Sequence, residues 1–153
     1  MQDRQHGDYL ISADPERLDS SAIHAYLTGS YWSEGIPLNV IQRALKNSLC
    51  IGAYASDRSQ VGLVRIITDY ATYAYLCDVY VLEFHRRRGL AKAMVKFGME
   101  IPELQGLRSW NLRTRDAHGV YEELGFKAID NPEGYMILRF PDAYRQNSSS
   151  SAD

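Results

Sequence analysis

Arg86, Arg87 and Arg88 stand side by side, and Gly89 follows them at once. Three of the chain's seventeen basic side chains are gathered there, ahead of Leu90-Ala91-Lys92. Such a stretch suits one kind of chemistry: holding phosphate. The apolar run Tyr75–Leu82 before it reads as a buried strand, and Leu90–Ile101 after it reads as a helix. A helix N-terminus offers unpaired N–H groups and the positive end of the helix dipole, which together favour an anion. Gly89 lets the backbone approach a ligand, and Ala91 keeps the first turn slim. Alone, a basic turn more often merely solvates a loop. The flanking strand and helix shift the reading toward a pyrophosphate cradle.

Other residues stand out by place. Asp78 is a carboxylate in an otherwise apolar strand and needs a partner or a purpose. Arg65 and Arg113 are the candidate partners, and general base is the candidate purpose. Tyr31 and Trp32 are adjacent aromatics in a loop, where polar residues are the rule. Either Trp32 plugs a gap between helices, or the pair walls a substrate pocket. Glu34 and Asp69 lie on candidate pocket loops, and His118 is one residue into a late helix, facing solvent.

The elements that must position these residues follow from pattern. Asp8–Ser12 is a short strand. A helix starting at Asp14-Pro15 or at Asp19 runs to about Thr28 and ends at Gly29. Leu38–Asn47 is an amphipathic helix. Leu49–Tyr54, Val61–Ile67 and the strand through Asp78 form a meander on short turns at residues 57–60 and 69–73. Strict alternation puts Leu76, Asp78 and Tyr80 on one face of that strand, and Cys77, Val79 and Val81 on the other. Pro102 stops the helix after the loop. Arg108–Thr114 is the next strand, parallel to Tyr75–Leu82 because a helix crosses between them. A helix from about Ala117 to Leu124 follows, capped by Asp116 or Thr114. Phe126–Asp130 and Tyr135–Phe140 read as a closing hairpin. Residues 1–145 form one domain, and 146–153 is a polar, serine-rich, flexible tail.

Arg86–Ala91 matches the R/Q-x-x-G-x-G/A loop of the GNAT superfamily of N-acetyltransferases. Ala117-His-Gly-Val-Tyr121-Glu-Glu-Leu-Gly125-Phe126 resembles that family's A-x-x-x-Y-x-x-x-G-F segment. The resemblance covers roughly residues 60–130. It implies an α/β (α+β) fold: a mixed, mostly antiparallel sheet of six to seven strands, about four helices, and a splayed central parallel pair. It also implies acetyl-CoA as co-substrate, with pyrophosphate on the backbone of Arg86, Arg87, Arg88, Gly89, Leu90, Ala91 and Lys92. The pantetheine arm would lie along Val79, Tyr80 and Val81, with the Val81 N–H as oxyanion donor. Tyr121 matches the family's general acid. The acceptor would sit by Tyr31, Trp32 and Asp69. Thr114 stands where the family often has Asn, so a contact to the cofactor arm or to a water is lost or passes to a hydroxyl. For the base, Asp78 is named beside a water relay.

The expected activity is acetyl transfer from acetyl-CoA to a primary amine of a small molecule, by direct attack in a ternary complex. Two alternatives stand: a protein or peptide N-acetyltransferase, and a non-catalytic CoA-binding regulatory domain. A net charge of −2 gives no general pull toward nucleic acid. Cys50 and Cys77 read as reduced core residues, no Cys/His spacing suggests a metal, and no apolar run reaches membrane-spanning length. A cytoplasmic protein is expected, and the resemblance makes a homodimer plausible.

Overall fold

Six strands lie in one sheet in the order in which the chain makes them. The computed structural model describes residues 1–145; the expected serine-rich tail lies outside the described residues. The strands are β1 (Arg4–His6), β2 (Tyr9–Ser12), β3 (Leu49–Tyr54), β4 (Gln60–Thr68), β5 (Tyr73–Val81) and β6 (Ser109–Leu112). β1 to β5 pair antiparallel, and β5 pairs with β6 in parallel from Tyr73↔Ser109 to Leu76↔Leu112. The mixed, mostly antiparallel α/β architecture is the expected one. β1 was not anticipated, because its polar Arg4-Gln5-His6 has no apolar alternation; it is held by hairpin pairing to β2 across Gly7.

Four α-helices complete the described fold: α1 (Ser20–Leu27), α2 (Leu38–Lys46), α3 (Leu90–Met99) and α4 (His118–Glu122). Both expected first-helix starts are used. Asp14 caps a single 3-10 turn at Pro15–Arg17, and the Asp19 carboxylate accepts from Ala22 N–H at the head of α1. Thr114 Oγ1 accepts from Ala117 N–H at 3.0 Å just before α4, but the N-cap is Ala117 and no side chain caps the first turn, so neither Thr114 nor Asp116 caps the helix as expected.

The sheet separates two apolar clusters. α3 packs on one face, where Leu90, Met94, Val95 and Phe97 meet Ile51, Val64, Ile66 and Leu76. α1 and α2 cover the other, where Ile23, Leu27, Ile41 and Leu45 meet Cys50, Leu63 and Tyr80. Burying side chains of this size contributes about 1.5–3 kcal/mol each.

Two expectations are corrected. Residues 126–140 contain no strand, so the closing hairpin is not formed within the chain; Lys127 to Ala143 are all exposed. Strict alternation along β5 also fails. The β4–β5 register steps from Arg65↔Cys77 to Leu63↔Tyr80, so Asp78 and Val79 together oppose Val64. Asp78 takes up the extra residue in a left-handed conformation, φ 49°. This β-bulge leaves Cys77 and Asp78 on the α1/α2 face with Tyr80, while Leu76 turns to the α3 face.

Candidate functional site

β5 outruns its parallel neighbour. Pairing with β6 ends at Leu76, while β5 continues through Asp78 to Val81. Leu82 N–H donates to Val61 C=O at 2.8 Å. The alternation of an antiparallel ladder then turns the N–H and C=O of Val81 away from β4. The Val81 carbonyl accepts from Arg86 Nε at 2.9 Å on that open side. The gap beyond the last β5–β6 pair is therefore lined by β5 backbone.

The basic loop closes one end of this gap. A 3-10 turn at Glu83–His85 leads into it, and His85 Nδ1 shares a 2.9 Å hydrogen bond with Tyr9 Oη. Arg87 and Gly89 both have positive φ, 63° and 73°. Gly89 is the N-cap of α3 and supplies no side-chain acceptor. The helical ladder starts only when Ala93 N–H donates to Gly89 C=O. Among the described residues no side chain accepts from the N–H groups of residues 89–92. His6 Nε2 reaches the Arg88 carbonyl at 2.7 Å and steadies the loop from β1.

The side chains of the loop divide in role. Arg86, although exposed, folds back onto the Val81 carbonyl and, at 3.3 Å, onto Tyr26 Oη. Tyr26 stacks on Tyr80 with ring centroids 3.9 Å apart. Leu90 is core, and Lys92 pairs with Glu123, the residue that ends α4. Arg87 and Arg88 are exposed. An anion here would thus meet backbone N–H groups first and two exposed guanidinium groups second.

Asp78 projects from the bulge into a polar cluster. Its Oδ2 accepts from Arg65 Nε at 2.7 Å and its Oδ1 from Trp32 Nε1 at 2.8 Å. Arg65 Nη1 also donates to Ser48 Oγ. Of the two arginines expected as partners, Arg65 is the one that pairs. Both carboxylate oxygens are engaged, and the Asp78 side chain is only 8% exposed. Trp32 is 41% exposed, so it does not plug an interhelical gap. Tyr31 meets Trp32 edge-on and lies under the Arg115 guanidinium, 3.9 Å from its ring centroid. The α1–α2 loop and the β6–α4 loop therefore touch.

Tyr121 sits on α4, buried and edge-on to Phe126 at 5.9 Å. Its hydroxyl has no hydrogen-bond partner among the described residues, and burial raises its pKa. A phenol is already protonated at neutral pH, so burial leaves that state unchanged. Asp69 stands apart. Its carboxylate accepts from Thr72 Oγ1 and from the N–H groups of Ala71, Thr72 and Tyr73, and the Thr72 hydroxyl leads in holding its pKa well below the usual range. That turn precedes Asp78 by five residues of strand, on the order of 15 Å. The structure does not bring Asp69 to Trp32 and Asp78.

Sequence reasoning missed His6, Tyr9, Tyr26 and Arg115, each of which reaches the site from a distant part of the chain. The chain's eleven tyrosines hint at such a lining, but a count carries no position. Among the described residues no group of three or more His, Cys, Asp or Glu could hold a metal, and no helix is long and apolar enough to cross a membrane.

The model of the Acetyltransferase (GNAT) family matches residues 16–126. A protein of Gibberella zeae, described as a candidate acetyltransferase, is 36% identical over 86% of this chain and 88% of its own length. The crystal structure of a candidate GNAT-family acetyltransferase from Xanthomonas campestris pv. campestris superimposes with a TM-score of 0.86 at 42% identity, covering 92% of this chain and 99% of that one. A candidate acetyltransferase from Deinococcus radiodurans shares the fold, with a TM-score of 0.68 at 24% identity over 94% and 96% of the two chains. The chain belongs to the GNAT acetyltransferase family.

Proposed function

We propose that the protein is an acetyl-CoA-dependent N-acetyltransferase acting on a primary amine of a small molecule, within one ternary complex. The observation that carries this reading is the uncapped N-terminus of α3, set at the point where β5 loses its parallel neighbour. Bound there, acetyl-CoA supplies an acetyl thioester. The residues fit it: the N–H groups of 89–92 lack protein acceptors, Gly89 already holds the left-handed turn, and Arg87 and Arg88 add positive charge. Pyrophosphate is the anion that such a helix end suits.

The roles of the chain's own groups follow. The Val81 N–H, turned away from β4, is the donor for negative charge developing on the acyl oxygen. Val79 and Tyr80 line the same length of backbone. Tyr121 holds its hydroxyl proton at neutral pH, as any phenol does, and it passes that proton to the departing sulfur. Asp78 is tied to Arg65 and Trp32, which supports an anchoring role for it better than a basic one. The incoming ammonium then gives its proton to a water relay. Tyr31 and Trp32 form the acceptor rim, and Thr114, whose hydroxyl can still donate, borders the cofactor arm.

A second reading has one observation behind it. Tyr31 is 58% exposed and Trp32 41% exposed, so the aromatics form an open rim rather than a closed box. An open rim also admits a peptide N-terminus or a lysine. Two experiments test both readings. Calorimetric titration with acetyl-CoA and with CoA should saturate; a folded protein that binds neither removes the transferase reading. Thiol release from acetyl-CoA should then be faster with small amines than with peptides, and the reverse order would move the assignment to a protein acceptor.

A further inference from the structure

β1 adds little to the sheet. It is three residues long, pairs only with β2, and none of Arg4, Gln5 and His6 is apolar. What it carries is two side chains on one face, Arg4 and His6. Arg4 Nη1 pairs with Glu100 Oε2 at 2.8 Å, and its guanidinium lies 5.2 Å from the centre of the Phe97 ring, both toward the tail of α3. His6 Nε2 meets the Arg88 carbonyl at 2.7 Å, at the head of α3. Past the turn at Gly7, Tyr9 Oη bonds His85 Nδ1, so the same hairpin grips the basic loop at both ends.

The Arg88 carbonyl matters because of the peptide it belongs to. Among the described residues His6 is its only donor, and the N–H groups of Arg87, Arg88 and Gly89 have no acceptor. The bond from Arg88 to Gly89 is trans. In a planar trans peptide the C=O and the N–H point opposite ways. Holding the Arg88 oxygen toward β1 therefore turns the Gly89 N–H away from β1. β1 and β6 are opposite edges of the sheet, so that is the direction of the gap beyond the β5–β6 pairs. A carbonyl can only accept, so Nε2 carries the donated proton. That donation also polarises the amide and makes its N–H a better donor. The ring covers Gly89 as well: an added Cβ there would meet only His6, Nε2 at 3.7 Å and Cε1 at 3.8 Å. The loop needs such a hold, because Arg87 sits at φ 63°, which a non-glycine residue adopts at a cost.

We infer that His6 is a positioning residue for the cofactor: through the Arg88 carbonyl it aims the Gly89 N–H at the pyrophosphate of CoA. The inference rests on the acetyl-CoA reading and adds to it a residue 82 positions upstream of the loop, on the far edge of the sheet. The hydrogen bond of His6 goes to the loop, not to Val81, Tyr121 or Asp78. Its loss is therefore felt in the binding of ligands that carry the pyrophosphate, and not in the transfer step.

Two substitutions separate the hydrogen bond from the packing. His6→Phe keeps a ring over Gly89 and removes the donor. His6→Gln gives up the ring and keeps an N–H donor at similar reach. In calorimetric titration, CoA should bind about tenfold more weakly to His6→Phe, and within about threefold of the wild-type affinity to His6→Gln. The KM for acetyl-CoA should follow, while kcat at saturation stays within about twofold. S-acetylpantetheine, a donor without pyrophosphate, should serve all three proteins equally well. A purely structural role predicts the reverse order, since Phe keeps the packing and favours a strand. Equal CoA affinity in His6→Phe and the wild-type protein would overturn the inference. So would a His6→Gln protein that binds CoA no better than His6→Phe, or an equal loss of activity with S-acetylpantetheine. A folded wild-type protein that binds no CoA is a separate result: it removes the acetyl-CoA reading itself, and this role with it.

Discussion

β5 is one strand with two halves of different character. From Tyr73 to Leu76 it is paired on both sides, to β4 and β6, and its inward side chains Ala74 and Leu76 are core. From Asp78 to Val81 it is paired to β4 alone, and the backbone on its other side is open. The bulge at Asp78 is the border. The paired half contributes stability, since it has a strand on each side and encloses Ala74 and Leu76. The open half gives up ladder bonds on one side and so presents N–H and C=O groups to a ligand. Changes on the open side should alter chemistry or binding with little effect on stability, and changes at the border should do the reverse.

The largest effect is expected at the far wall of the open half. Tyr121→Phe should lower turnover about 100-fold or more, the usual range for loss of a positioned acid. CoA affinity should stay within about twofold, because the phenyl ring keeps the contact with Phe126. Steady-state kinetics beside a CoA titration separates the two; unchanged turnover would remove Tyr121 from the acid role.

Next comes the end of the open half. Gly89 has φ 73°, and a β-branched residue resists that conformation. An added Cβ would meet only the His6 ring, at 3.7 Å, so crowding within the fold is not the issue. Gly89→Val should weaken CoA binding about 100-fold, roughly 2.7 kcal/mol, by re-aiming the N–H groups of the first turn. The melting temperature should fall by only a few degrees. Normal CoA affinity in a folded Gly89→Val protein would mean that the phosphate site lies elsewhere.

Asp78→Asn probes the border. The amide can still accept from Trp32, but Arg65, itself mostly buried, loses its counter-charge. Stability in a urea titration should fall by about 2 kcal/mol. Turnover at saturating acetyl-CoA should change by less than about fivefold if Asp78 anchors. A loss of 100-fold or more would restore Asp78 as the base and would break the division drawn at the bulge.

How much of this was legible in the sequence depends on how local each signal is. The basic loop, its strand and its helix lie within thirty residues and follow from pattern, as does the crossover that makes β5 and β6 parallel. The Tyr121 segment is equally local. The bulge was not legible: Asp78 looks like one polar letter in a regular strand, and only its ion pair with Arg65 and its positive φ reveal the reset. β1 was hidden because its three polar residues carry no period. The closing hairpin was expected because 135–140 has strand composition. Composition states that a segment favours an extended, covered conformation but not that the fold offers it an edge.

The smallest effect concerns the residues beside the border. Burial pushes the Cys50 thiol up from an ordinary value near 9.0 to about 12, and the Cys77 thiol to about 11, although Arg65 pulls both down. The folded pKa is the higher one, so the stabilising contribution is whole below pH 9. It fades as pH rises, because above 9 the unfolded chain sheds thiol protons that the folded chain keeps. The slope approaches about 1.4 kcal/mol per pH unit for each thiol that ionises only on unfolding. Denaturant midpoints should therefore hold steady from pH 7 to 8.5 and decline from 9 upward. Cys50→Ala with Cys77→Ala should flatten that decline, at the cost of some stability at every pH. An equal decline in the double variant would assign the alkaline loss to the buried tyrosines Tyr54 and Tyr80, whose pKa values burial also raises. Both fully paired and half-open stretches of the sheet would then owe their alkaline limit to phenols rather than to the thiols beside Asp78.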